Sequence, residues 1–321
     1  MRTLKRPFSG VISAPLLPML PDASIDWVAL RSYIAWIAEQ RPTAIAMNMD
    51  ASEVVALTME EQIKVIEVSR EAINGACPLL SGVLAGSTAL AVENGRALKK
   101  AGAEGLVVFP AFPTFLGSPL PVEMVVEFHR GVADGVGLPI VAFQFPRGWG
   151  PDFSPAMMDA IIKVPQLFAI KESSFDAQMT IQAVESAGKY ADRPAILTGS
   201  DTFIFEALMM GCDGALIGFA GTATRELVEM QQAVATGDYA RGKAIWDRLA
   251  PIARYCWRAP VRDFRPRMKE LLKFQGLFPH ATVRAPQLGV SEAEKLHIHE
   301  LAIAAGMGPV AAAPVREKVK A

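Results

Sequence analysis

A lysine at the end of a short apolar run is the residue best placed to do chemistry in this chain. Lys171 follows the run 167–170, which Pro165 precedes, and such a run is typical of a buried strand. At the exit of a buried strand an ammonium group loses hydration, and this loss lowers its pKa. A neutral amine can attack a carbonyl carbon and form an imine. On the local sequence alone, a lysine that simply reaches water is the more ordinary alternative.

The elements that must position Lys171 follow a regular pattern. Short apolar runs alternate with amphipathic stretches, and this alternation predicts a parallel sheet with intervening helices. Eight such units predict an α/β fold, a (β/α)8 barrel, rather than a doubly wound open sheet, since no GxGxxG follows the first run. The predicted strands are 10–15, 44–48, 79–83, 105–109, 138–143, 167–171, 195–199 and 214–218.

Local signals mark where helices begin and end between these strands. The segment Thr58-Met59-Glu60-Glu61 has the pattern of a capping box, and Ser87 and Ser154 are expected to be N-caps. Gly102 and Gly211 are each expected to end a helix, because glycine suits the left-handed C-terminal position. These signals support the same alternation of helices and strands.

The chain continues beyond the eighth predicted strand with further helical patterns. We expect a barrel domain over residues 1–235 and a C-terminal helical domain over 236–306. The last stretch, 307–321, is rich in Ala, Pro and Lys and is predicted to be a flexible tail. The predicted late helices are 222–235, 239–256, 266–275 and 291–305.

Composition limits the possible functions. The net charge of −1 gives no general attraction to nucleic acid or to a membrane surface. We expect neither a signal peptide nor a membrane span, because no N-terminal stretch combines basic residues with a long apolar segment and no apolar run reaches the length of a span. Three separated cysteines without a CxxC pair indicate a reducing, cytoplasmic location. The four histidines lack ligand spacing, so we expect neither a metal nor a cofactor.

Several motifs in order resemble one known family. The segment Ile170-Lys171-Glu172-Ser173 resembles the Schiff-base segment of the dihydrodipicolinate synthase / N-acetylneuraminate lyase family of class I aldolases. The resemblance covers residues 7–305 and implies a barrel with a helical C-terminal domain, assembled into homodimers or homotetramers. It also implies a 2-oxo acid, such as pyruvate, bound as an imine to Lys171. The further matching segments are 53–61, 199–201, 211–218 and 267–276.

The loop after the second strand departs from the family pattern. The family usually has Gly-Thr-Thr-Gly-Glu, whereas this chain has Met49-Asp50-Ala51-Ser52-Glu53. The resemblance implies that Asp50, Ala51 and Ser52 form the cradle for the substrate carboxylate, which backbone N–H groups can still bind. Asp50 either brings a repelling charge to this cradle or points away and caps a turn.

The fifth strand departs as well. The family has Tyr-Asn followed by Pro, and this chain has Phe143-Gln144-Phe145-Pro146. The resemblance implies that the tyrosine is the proton shuttle, and a positioned acid–base group contributes a factor of about 10² to 10⁴ in rate. Candidate substitutes are Ser200, Asp50, a water held by Gln144, or the substrate's own carboxylate. Arg147 either meets an anionic substrate or lies in solvent.

The sequence therefore predicts a lyase that acts on a 2-oxo acid through an imine to Lys171. One alternative is an aldolase or dehydratase for a phosphorylated sugar acid, with the phosphate at segment 219–224. Another is a non-catalytic 2-oxo-acid-binding protein on an inherited barrel. Beyond the cradle, the expected substrate-binding residues are Phe143, Gln144, Arg147, Gly199, Ser200, Leu216 and Gly218.

Overall fold

Eight parallel strands close into a barrel in which β8 pairs with β1, Gly214 lying opposite Gly10. The structure is a computed structural model that describes residues 8–116, 120–146 and 153–310. The closed barrel confirms the predicted (β/α)8 fold. The strands are β1 (Gly10–Ser13), β2 (Ala44–Met47), β3 (Leu79–Val83), β4 (Gly105–Val108), β5 (Ile140–Gln144), β6 (Leu167–Glu172), β7 (Ala195–Thr198) and β8 (Gly214–Ile217).

Helices surround the barrel and continue beyond it. The barrel helices are α1 (Trp27–Glu39), α2 (Met59–Ile73), α3 (Thr88–Ala101), α4 (Val122–Val136), α5 (Pro155–Ile161), α6 (Ala177–Gly188), α7 (Ile204–Met209) and α8 (Thr224–Ala235). The later helices are α9 (Tyr239–Cys256), α10 (Phe264–Phe274) and α11 (Glu292–Ala304). Short 3₁₀ turns lie at Val54–Ala56, Phe112–Phe115, Phe219–Gly221 and Val261–Asp263. No helix of the described segments is long and apolar enough to span a bilayer.

The predicted helix caps are confirmed. Thr58 Oγ1 accepts from the N–H of Glu61 at 3.2 Å, and the Glu61 carboxylate accepts from the N–H of Thr58 at 3.0 Å, which completes the capping box. Ser87 and Ser154 each accept from the N–H three residues ahead. A cap of this kind contributes about 1 kcal/mol, so these local signals help to set where each helix begins.

A bulge in β6 decides which side chains face the barrel interior. Ile140 pairs with Leu167 and Val141 pairs with Ala169, so Phe168 is an extra residue in β6. Phe168 and Ala169 both pack in the inner cluster, whereas Leu167 packs in the layer between strands and helices. Because alternation resumes after this extra residue, Lys171 faces inward.

The C-terminal helices pack against the barrel and against one another. Helix α9 contacts α8, and α10 contacts both α9 and α11. Within the predicted tail, Met307 is buried and the Val310 N–H donates to the Gln275 carbonyl at 2.9 Å. Residues 311–321 lie outside the described residues, and the predicted domain division at residue 235 stays a prediction.

Candidate active site

Lys171 lies in the barrel mouth with only 8% of its surface exposed. Its Nζ is 3.9 Å from the centre of the Phe143 ring. Burial lowers the pKa of this amine to about 8, and the nearby charges of Asp201 and Asp50 oppose that change. At pH 7 roughly a tenth of a lysine with such a pKa is neutral, against less than a thousandth for a free lysine. The environment that the sequence predicted for Lys171 is therefore present.

Among the neighbouring charges that act on Lys171, that of the buried Asp201 carboxyl group has the largest effect. Its Oδ1 accepts from the N–H of Phe219 at 2.7 Å. Burial raises the pKa of Asp201 to about 7, although the Lys171 charge lowers it. The sequence reasoning placed Asp201 in a family motif but not in the site. Its position immediately beyond β7, at the carboxyl end of the barrel, was the available signal.

Two buried hydroxyl groups lie in this part of the mouth. In the part of the chain that the structure describes, Ser173 Oγ and Ser200 Oγ have no hydrogen-bond partner. A methyl group placed on Gly199 would lie 1.7 Å from Ser173 Oγ and 2.8 Å from Lys171 Cε. Gly199 therefore makes room for both side chains, and the Ser173 hydroxyl lies beside the end of the lysine. The sequence reasoning did not place Ser173 in the site.

The loop after β2 carries backbone donors just beyond the end of that strand. Ala51 and Ser52 are buried, and among the described residues neither N–H has a hydrogen-bond acceptor. Ser52 Oγ donates to the Pro15 carbonyl at 2.8 Å. The Ser52 hydroxyl is thus engaged in the fold, and the role of Ser52 in binding substrate stays a prediction. What the cradle offers a carboxylate is its backbone.

Asp50 is paired with an arginine from the C-terminal helices, so its side chain is engaged by that arginine rather than by a turn, and its effect on a substrate carboxylate stays a prediction. Its carboxylate forms an ion pair with Arg265 of α10, whose Nε also donates to the Asp50 carbonyl at 2.8 Å. Glu53, in the same loop, forms a buried ion pair with Lys269 of α10. Helix α10 thus holds the loop at two points, and both basic residues were missed as parts of the site.

Gln144 does not line the mouth, which corrects its predicted role. Successive residues of a strand point to opposite sides, so Gln144 faces outward where Phe143 faces inward. Its Nε2 donates to Glu172 Oε1 at 3.3 Å, in the layer beneath the helices. Strand alternation was the signal that would have shown this. A water held in the mouth by Gln144 is excluded as the proton shuttle.

Phe143 belongs to an aromatic cluster at the mouth. The Phe109, Phe143 and Phe145 rings meet edge to face, with centroid separations of 4.7–5.8 Å. Edge-to-face pairs of this kind are favourable and leave a ring face open to a cation or to an apolar group. The cluster makes one side of the lysine environment apolar.

Of the remaining predicted residues, Leu216 and Gly218 belong to β8 and the turn that follows it. Leu216 is buried in the inner cluster of the barrel. A methyl group on Gly218 would lie 3.0 Å from the Trp257 ring and 3.5 Å from Ala51 Cβ, so glycine is needed for close approach. Arg147 lies outside the described residues.

The segment proposed for a phosphate offers few free donors. Thr222 Oγ1 donates to the Phe219 carbonyl at 2.9 Å, and Thr224 Oγ1 donates to the Ala220 carbonyl. The N–H of Arg225 donates to Gln40 Oε1 at 3.1 Å. The phosphorylated-substrate alternative therefore gains no support from this helix start. Within residues 8–116, 120–146 and 153–310, no group of three His, Cys, Asp or Glu side chains is arranged to hold a metal ion.

A closed α/β barrel with a buried lysine at the carboxyl end of its sixth strand defines the class of the protein, a (β/α)8 barrel with a candidate nucleophile in its mouth. The family is shown by a sequence match: the chain belongs to the dihydrodipicolinate synthetase family, whose model matches residues 7–305.

Individual relatives agree with this assignment. A 4-hydroxy-tetrahydrodipicolinate synthase of Pseudomonas aeruginosa is 28% identical over 245 residues, 76% of this chain and 81% of that protein. An uncharacterized DapA-like lyase of Thermofilum pendens is 29% identical over 287 residues, 87% of this chain and 91% of that protein. The fold is also similar to the solved structure of a chloride-inhibited dihydrodipicolinate synthase from Acinetobacter baumannii in complex with pyruvate. The TM-score is 0.83 at 22% sequence identity, and the aligned region covers 94% of this chain and 99% of that chain.

Proposed function

We propose that the protein forms an imine between Lys171 Nζ and the ketone carbon of a 2-oxo acid and uses it to make or break a neighbouring bond. The observation that carries this proposal is the buried amine in the barrel mouth, whose pKa burial lowers to about 8. A lysine kept partly neutral at physiological pH is a nucleophile toward carbonyl groups.

The backbone of the β2 loop supplies the expected site for the acid group. The N–H groups of Ala51 and Ser52, which have no acceptor among the residues that the structure describes, can donate to a carboxylate. The guanidinium of Arg265 offsets the charge of Asp50, so that carboxylate no longer stands unbalanced beside the incoming one. A 2-oxo acid held here by its carboxylate would have its ketone carbon one bond away, within the mouth.

The chemistry that follows needs no cofactor. Attack by the amine gives a carbinolamine, which loses water to give an imine. The protonated imine draws electrons from the adjacent carbon, which permits C–C cleavage, C–C formation or dehydration next to it. A metal is not needed in this scheme because the lysine nitrogen itself carries the positive charge.

The substrate is proposed to differ from the pair of pyruvate and aspartate semialdehyde. Asp50 and Ala51 stand where the family usually has two threonines, and Phe143 stands where it has tyrosine. The Phe109, Phe143 and Phe145 cluster makes one wall of the mouth apolar. A 2-oxo acid with an apolar substituent, or an apolar aldehyde partner, would suit that wall better than a polar one.

Borohydride trapping tests the proposal. The protein is incubated with a panel of 2-oxo acids, reduced, digested and analysed by mass spectrometry. We expect added mass on Lys171 and none after Lys171→Met. Lys163, which is exposed just before β6, gives a matched control: Lys163→Met should label as the wild type does. Absence of added mass with every acid would refute imine formation.

The missing tyrosine supports one second candidate, a non-catalytic protein that binds 2-oxo acids. Such a protein would bind pyruvate reversibly, with an affinity indifferent to Lys171→Met and without trapped mass. Calorimetric titration of the wild type and of Lys171→Met separates the two functions. Assembly as a homodimer or homotetramer is also part of the proposal, and light scattering of the purified protein measures it.

A further inference from the structure

The hydroxyl of Ser173 lies beside the reacting end of Lys171 and makes no hydrogen bond to the described part of the fold. Ser173 is 3% exposed, and its Oγ has no hydrogen-bond partner among the described residues. A methyl group on Gly199 would overlap Ser173 Oγ at 1.7 Å and contact Lys171 Cε at 2.8 Å, so all three groups meet at one point. A buried hydroxyl left unpaired is destabilising and needs an explanation.

The backbone holds Ser173 in this position. Its N–H donates to the Gln144 carbonyl at 3.1 Å, which extends the β5–β6 ladder by one residue. The Gly199 N–H donates to the Glu172 carbonyl at 2.6 Å from the other side. With hydrogen bonds to both neighbouring strand ends, this segment is fixed, and a substrate that reaches Lys171 Nζ meets a hydroxyl already in place.

Imine formation needs a group that moves protons from nitrogen to oxygen. After the amine attacks, one N–H proton must reach the ketone oxygen, and a second must follow before that oxygen leaves as water. A hydroxyl can accept a proton and donate one at the same time. Phe143, which replaces the family tyrosine, has no group that can do this.

We propose that Ser173 Oγ is this proton relay and so takes the part that the tyrosine hydroxyl has in the family pattern. In the first step its O–H proton passes to the ketone oxygen while it takes one from Nζ. In the second step it passes the remaining N–H proton to the carbinolamine oxygen, the C–O bond breaks, water leaves and the C=N bond forms. The serine ends both steps unchanged, and the neutral imine then takes up one proton from water to give the protonated imine. This inference rests on the proposed function.

The other substitutes that the sequence suggested are less well placed. Gln144 faces the layer outside the barrel, and the Asp50 carboxylate is bound by Arg265. Ser200 also has an unpartnered hydroxyl, and its N–H donates to Thr198 Oγ1 at 3.2 Å. Ser173 is the one whose hydroxyl shares a contact point with the lysine side chain. The rate of imine formation is therefore also measured for Ser200→Ala.

The test measures the rate at which the imine forms. Wild type and Ser173→Ala are mixed with pyruvate, or with the 2-oxo acid that labels Lys171 most completely, and are quenched with borohydride at set times. We expect Ser173→Ala to form the adduct more slowly than the wild type, by a factor of about 10². The final extent of labelling should be the same. Ser69→Ala is the matched control, because Ser69 Oγ on α2 is also buried and unpartnered. Its rate should equal that of the wild type.

A second variant distinguishes a relay from a structural role. Phe143→Tyr restores a phenol beside Lys171, so Ser173→Ala should slow the reaction far less in that background. A merely structural serine would show the same loss in both backgrounds. Equal rates for wild type and Ser173→Ala would overturn the assignment, as would a loss confined to Ser200→Ala. If the wild type labels with none of the acids, the proposed function itself fails.

Discussion

Two neighbouring regions of the barrel mouth treat their polar groups in opposite ways. In the loop after β2, Asp50 and Glu53 each have a basic partner from α10. Just beyond the ends of β6 and β7, the hydroxyls of Ser173 and Ser200 have no partner within the described residues. Paired groups hold a loop in place, whereas unpaired ones cost stability and stay free to bind a ligand. We infer that the paired residues stabilise the loop, whereas the residues with free hydroxyls are available for the reaction.

This comparison gives a simple expectation for substitutions. Changes in the paired region should lower the free energy of unfolding and leave imine formation largely intact. Changes around Lys171 should alter imine formation and leave the unfolding free energy largely intact. Each prediction below tests one side of that division.

The largest effect is expected from Lys269→Met. Lys269 is fully buried, donates to the Thr282 carbonyl at 2.7 Å and pairs with the buried Glu53 carboxylate. Removing one partner of a buried ion pair leaves the other charge uncompensated and costs about 3–5 kcal/mol. Urea unfolding measures this loss, and borohydride trapping measures whether the folded fraction still labels Lys171.

A double variant provides the control for that prediction. Glu53→Gln combined with Lys269→Met removes both charges, so most of the lost stability should return. A loss below about 1 kcal/mol for Lys269→Met alone would show that the pair does not hold the loop.

The pH dependence of imine formation tests the unpaired side. Because burial lowers the pKa of Lys171 to about 8, the neutral amine becomes more abundant as the pH rises toward 8 and is fully present above it. The rate should therefore rise about tenfold per pH unit well below pH 8 and level off above it. Burial raises the pKa of Asp201 to about 7, so this carboxyl group changes its charge in the same pH range and contributes to the profile.

Asp201→Asn sharpens this prediction. The Asp201 charge raises the pKa of Lys171, and the substitution removes that charge while keeping an oxygen for the Phe219 N–H. The plateau of the pH–rate profile should then begin at a lower pH than in the wild type. Stopped borohydride trapping between pH 5.5 and 9.5 gives both profiles. A wild-type rate that rises only near the ordinary lysine pKa would contradict the buried-amine mechanism.

The fold was predictable from local signals, because glycines, prolines and helix caps mark the ends of the helices and strands along the chain. The capping box at Thr58, for example, acts within four residues, and it forms as predicted. The bulge at Phe168 carries no such signal, since it depends on how β6 aligns with β5. Lys171 could be predicted at the strand end, but its inward direction depends on that bulge.

The candidate site was predictable where residues follow strand ends and was missed where partners come from far along the chain. Arg265 meets Asp50 across 215 residues of sequence, and nothing near either residue indicates the pair. Gln144 was misplaced although the alternation of β5, with Phe143 inward, already directs it outward. Ser173 was quoted as part of a motif, and only the contact with Gly199 shows that it lies beside the lysine.

The smallest effect is expected from Arg265→Ala, and it tests how the paired region serves the chemistry. Arg265 binds both the carboxylate and the carbonyl of Asp50. Without it, the Asp50 charge stands unbalanced beside the proposed carboxylate cradle. The Asp50 side chain is 45% exposed, so solvent screens the repulsion and the cost should be only about 0.5–1 kcal/mol.

This cost is best measured on binding alone. In a Lys171→Met background, where no imine can form, Arg265→Ala should raise the Kd for pyruvate about two- to fivefold by calorimetric titration. Arg262→Ala is the matched control, because that arginine is exposed and pairs only with its neighbour Asp263 among the described residues. Adding Asp50→Asn should restore the affinity, since the unbalanced charge is then gone. An unchanged Kd after Arg265→Ala would mean that the carboxylate of a 2-oxo acid binds away from this loop, and the cradle at Ala51 and Ser52 would have to be abandoned while the buried amine could still stand.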